Sequence, residues 1–78
     1  MHFLEATFRT AIQNKGFQNP IEIAFVSGLL ADSKRFQVDR NGYNLAKDLC
    51  NLGLTGITRY RDHERFFVVI EYCNVPSL

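Results

Sequence analysis

Two glycines, Gly16 and Gly53, each close an amphipathic stretch, and each is followed by an apolar residue placed five positions after an apolar residue of that stretch. Phe17 follows Gly16 and stands five after Ile12; Leu54 follows Gly53 and stands five after Leu49. This is the arrangement of a Schellman stop, in which glycine takes a left-handed conformation and the residue after it touches the last helical turn. Phe3, Leu4, Phe8, Ala11 and Ile12 fall at three- and four-residue spacings, which predicts a first helix, with Glu5, Arg9, Gln13 and Asn14 elsewhere on the wheel. Leu45, Ala46, Leu49, Cys50 and Leu52 predict a second helix over Tyr43 to Leu52, begun by Asp39 or Asn41 as cap.

After each stop the pattern turns to strand. Asn19-Pro20 leads into the alternating Ile21 to Val26, and Lys34 to Val38 supplies its partner. Ile57 to Arg61 and Arg65 to Cys73 form a second pair around the charged turn Asp62-His63-Glu64. The predicted order is α-β-β-α-β-β, a repeat of architecture with little matching sequence. Short connections make the pairs antiparallel, and both helices need apolar sheet to cover. The fold class is therefore α+β: a two-layer sandwich, one four-stranded antiparallel sheet with two helices on one face. This order resembles a permuted ferredoxin-like chain, a βαββαβ unit whose first strand has moved to the end.

With 78 residues there is room for one core, so residues 1–78 are expected to be a single domain. An apolar fraction of 46%, with seven Phe and three Tyr, argues against disorder. Two cysteines, Cys50 and Cys73, are too few for a disulfide framework and read as buried thiols in a reducing compartment. Only His2 and His63 could join them around zinc, so no metal or cofactor is expected. No apolar run approaches membrane length, and the start Met-His-Phe-Leu-Glu lacks the basic and apolar regions of a signal peptide, so a cytoplasmic chain is expected.

The last strand carries the most functional information. Phe66, Val68, Ile70 and Tyr72 line one face, yet Phe67 and Val69 on the other are also apolar, and such a strand is covered on both sides. The second cover is the Gly28-Leu29-Leu30-Ala31 connection, a homodimer face or a partner. Arg65 to Tyr72 also compares with the RNA-recognition signature K/R-G-F/Y-G/A-F-V-x-F/Y. It matches at Arg65, Phe67 and Tyr72, with Ile70 standing for Val, but it lacks the small residues at 66 and 68, and Val69 replaces a stacking ring.

The turn from Arg61 to Arg65 gathers five ionisable groups around His63, on an exposed tip poorly suited to catalysis. Lys34-Arg35 with Arg40, and Arg59 with Arg61, concentrate positive charge in a chain of net charge +1. No glycine-rich phosphate loop is present, and Ser27, Ser33 and Ser77 have no nearby histidine in a triad-like motif, so an enzyme is not expected.

The chain resembles in kind the small accessory proteins of phages and mobile elements that occupy a host protein surface, anti-CRISPR and other anti-defence inhibitors among them. The expected function is stoichiometric blocking by a non-enzymatic protein-binding module whose partner is a host protein or nucleoprotein complex. The alternative is a small nucleic-acid-binding regulator, for RNA or single-stranded DNA, using the sheet face. The candidate partner-binding residues are Arg35, Arg59, Tyr60, Arg61, His63, Arg65, Phe67 and Val69. On this reading Arg59→Glu or Phe67→Ala leaves the fold intact and weakens capture.

Overall fold

The computed structural model describes residues 3–29 and 31–73. Expectations placed on His2, Leu30, Ser77 and the Cys73 side chain fall outside them. Helix α1, Phe3–Lys15, precedes strands β1, Ile21–Ser27, and β2, Ala31–Val38; helix α2, Arg40–Asn51, precedes β3, Ile57–Asp62, and β4, Arg65–Cys73. The four strands form one antiparallel sheet in the order β1-β2-β4-β3. That order and direction are those of the permuted ferredoxin-like arrangement.

Both helices end as the glycines dictate. Phe17 N donates to Ile12 O at 3.1 Å and Gly16 N to Gln13 O at 3.0 Å, while Leu54 N donates to Leu49 O at 3.2 Å and Gly53 N to Cys50 O at 3.0 Å. These are the paired bonds of the Schellman motif, and they need the positive φ of 70° at Gly16 and 96° at Gly53. Asp39 caps α2, its Oδ1 accepting from Gly42 N at 2.8 Å. The helix begins at Arg40, a turn earlier than apolar periodicity suggests, because the cap fixes the start and Arg40, Asn41 and Gly42 carry no apolar signal.

The core lies between the helices and one sheet face. Leu4, Phe8 and Ile12 of α1 and Leu45, Ala46 and Leu49 of α2 meet Phe36 and Val38 of β2, Ile57 of β3, and Val68 and Ile70 of β4. Gly42 is buried where α2 passes both α1 and β2, with space for a Cβ bounded by Val38 Cβ at 3.0 Å and Ile12 Cδ1 at 3.3 Å. The Cys50 thiol is half-buried and donates to Ile57 O at 2.9 Å.

Two features depart from the sequence reading. Glu5, placed by the helical wheel among the polar positions, is 3% exposed. It accepts from Arg9 Nε at 2.9 Å and from Lys34 Nζ at 3.1 Å, and Lys34 also pairs with Glu22 at 3.4 Å. Strand β1, whose alternation promised one buried face, is exposed along nearly its whole length, including Ile21, Ile23, Phe25 and Val26. The two findings meet at Lys34: the charged chain Glu5-Lys34-Glu22 bridges α1, β2 and β1 where the apolar layer ends, and no β1 residue belongs to the core cluster.

Candidate binding face

Register decides which side chains share a surface. Across the central pair, Phe36 faces Val68 and Lys34 faces Ile70 on the helix side, so Arg35 opposite Val69 and Gln37 opposite Phe67 lie on the other side. In the second hairpin Tyr60 is opposite Phe67 and Thr58 opposite Val69, whereas Arg59 is opposite the buried Val68 and Arg61 opposite Phe66. The face away from the helices therefore holds Arg35, Thr58, Tyr60, Phe67 and Val69, with Arg65 and Asp62 at one end and Ser33 opposite Glu71 at the other.

At its centre the Tyr60 and Phe67 rings stack, with centroids 4.7 Å apart and planes 15° from parallel. Arg35 reaches across β4 so that its guanidinium carbon lies 5.6 Å from the Tyr60 ring centroid. Phe67 is 8% exposed, Tyr60 and Val69 are half-buried, and Arg35 is exposed. The result is a stacked aromatic centre bordered by residues of both charges. Of the described residues in the Gly28 to Ala31 connection, Leu29 is fully exposed and Ala31, the first residue of β2, pairs with Cys73 of β4.

Arg59 and Arg61 belong to another surface. Arg59 lies over the Tyr43 ring at 4.1 Å and its Nη1 donates to Tyr43 O at 3.5 Å. Arg61 and Arg40 lie 5.3 and 5.4 Å from the Phe66 ring, which is itself tilted against Tyr43 at 5.0 Å. These arginines brace the end of the core between α2, β3 and β4. The paired substitutions suggested by the sequence are thus poor probes of an interface. Removing the buried Phe67 ring costs about 3–5 kcal/mol of stability, and Arg59→Glu removes a cation held on an aromatic face.

His63 and Glu64 form the two-residue turn between the paired Asp62 and Arg65. His63 has a φ of 55°, its ring is exposed, and its Nε2 lies 3.7 Å from Asp62 Oδ1. Arg61 Nε donates to His63 O at 3.3 Å. Such a solvated tip neither excludes water nor fixes a reacting atom. Among the described residues no group of three or more His, Cys, Asp or Glu side chains is placed to hold a metal, and no helix is long and apolar enough to cross a membrane.

Of the eight sequence-chosen residues, Arg35, Tyr60, Phe67 and Val69 share the open face, Arg65 stands at its border, His63 is at the tip, and Arg59 and Arg61 face the helices. Thr58 and Gln37 complete the face and were missed. Their signal was the register of strands whose pairing only the folded chain reveals. No protein-family model, curated protein or solved structure matches this chain.

Proposed function

We propose that the chain is a non-enzymatic protein-binding module that docks through its open sheet face and acts by occupying a partner's surface. The observation that supports this reading most is the Tyr60–Phe67 stack with Arg35 over it, at the centre of the sheet face turned away from α1 and α2. Protein interfaces concentrate binding energy in Tyr, Trp and Arg at a desolvated centre, with polar residues at the rim. Tyr60 and Arg35 have that character, and the stack on Phe67 holds the Tyr60 ring in place so that little side-chain freedom is lost on docking. Occupying a host surface without chemistry is also how the small accessory inhibitors that the chain resembles in kind act.

Single-stranded nucleic acid is the weaker reading. Base stacking needs an open aromatic face, and here Phe67 is buried while Tyr60 already stacks on it with a cation over its ring.

The test is capture of partners from lysate by the tagged chain, identification by mass spectrometry, and titration of the recovered partner with Arg35→Glu and Tyr60→Ala. Each substitution is expected to weaken a one-to-one complex by about tenfold or more, with circular dichroism unchanged. Equal affinity for both variants would exclude the face. Retention of an oligonucleotide at low salt, lost steeply as salt rises, would transfer the reading to nucleic acid.

A further inference from the structure

We infer that two copies of this chain pair edge to edge through β1, joining their sheets into one eight-stranded antiparallel sheet. This rests on the exposed edge and is independent of the open-face proposal. The two edges of the sheet are built differently. On β3, Arg59, Arg61 and Asp62 place charge along the strand, the usual protection against a second strand. On β1 the sequence Ile-Glu-Ile-Ala-Phe-Val-Ser has no Lys, Arg or Pro, and its one charge, Glu22, is drawn toward Lys34. Ile21, Ile23, Phe25 and Val26 are each about half exposed, at 55, 46, 52 and 46%. An edge that is mostly apolar and carries a single charge presents unpaired backbone groups to a second strand.

The occupant is identified by the strand's own symmetry. A bulge at Ile23 interrupts the β1–β2 register between Glu22 and Ala24, after which Ala24 and Val26 lie on the open-face side and Phe25 on the helix side. In a two-fold antiparallel pair, opposed residues must share a face. Centring the axis on Phe25 satisfies this over the stretch after the bulge: Phe25 meets Phe25 of the second copy, and Ala24 meets Val26 in both directions. Apolar residues then oppose apolar residues, and no like charges are brought face to face. Pairing β1 with β3 would instead set apolar residues against the charged edge and generate an open chain of molecules, whereas β1 on β1 closes after two. The aromatic pair also gives Phe25 the cover that α1 does not supply.

A short edge contact of this kind is below the size of an obligate interface, so dimerisation is expected to depend on concentration. Sedimentation equilibrium should show a mass rising from 9.0 kDa toward twice that value as the chain is concentrated from about 5 to about 500 µM. Phe25→Lys should remain monomeric throughout, with unchanged circular dichroism because Phe25 lies outside the core. As a second variant, Phe25→Cys should oxidise to a covalent dimer, since residues opposed across the axis lie at a Cα separation of about 4.5–5.5 Å, suited to a disulfide. Wild-type chain and Lys15→Cys, treated alike, should yield at most background. A monomeric wild type across the whole range, or a dimer kept by Phe25→Lys and lost by Arg35→Glu, would overturn the proposal; the latter would place association on the open face.

Discussion

Glu5 shows how one side chain can set a boundary in a small protein. Its carboxyl is buried, which pushes its pKa up, yet the hydrogen bonds from Arg9 and Lys34 more than compensate and hold it below its ordinary value of 4.5. Lys34 is raised above its ordinary 10.5, chiefly by its hydrogen bond to Glu5. A carboxylate with a depressed folded pKa contributes stability that is present above its unfolded pKa and is lost as pH falls through the folded value. For the raised lysine the contribution is present below 10.5 and lost as pH rises through its folded value. Glu5→Gln is therefore expected to cost about 2 kcal/mol at pH 7. In urea titrations the gap from wild type should close as pH falls toward about 3; a gap independent of pH would show that the ion pairs contribute nothing. The Glu5–Arg9 spacing was visible in the sequence as an i,i+4 pair. Its burial was not, because Lys34 enters from a strand 29 residues away.

At the scale of elements, what was legible was what is local. The glycine stops, the Asp39 cap and the strand pairs follow from residues within a turn or two of each other, and all are found in the structure. Asp39→Ala removes the acceptor of Gly42 N and is expected to lower stability by about 1 kcal/mol, read as a reduced urea midpoint with an unchanged slope. Gly53→Ala forces a φ of 96° on a residue with a Cβ and should cost about 1 kcal/mol or more; an unaffected midpoint would mean that the stop is not needed to end α2. What the sequence left open was register. A shift of one residue exchanges the faces of a strand, and on that shift depended whether Tyr60 or the Arg59–Arg61 pair stood beside Phe67. The structure puts Tyr60 there. The bulge at Ile23 and the uncovered state of β1 were likewise beyond reach, since Ile21 to Val26 alternates as a half-buried strand does.

The whole molecule divides its work between the two sides of one sheet. The helix side contains the core, closed at one end by Arg40, Arg59 and Arg61 on the Tyr43 and Phe66 rings and at β2 by the Glu5 network. The open side carries the stacked Tyr60 and Phe67 with Arg35, and it is the surface proposed to dock. Pairing through β1 would place two such faces on one continuous sheet without covering either, so a dimer could engage two partner sites. The measurement that bears most directly on this division is the backbone amide chemical-shift map of the isotope-labelled chain on addition of its captured partner. Shifts concentrated at Ser33, Arg35, Thr58, Tyr60, Phe67 and Val69, with α1 and α2 undisturbed, are the predicted result; shifts confined to the helices, with the open face unchanged, would contradict it.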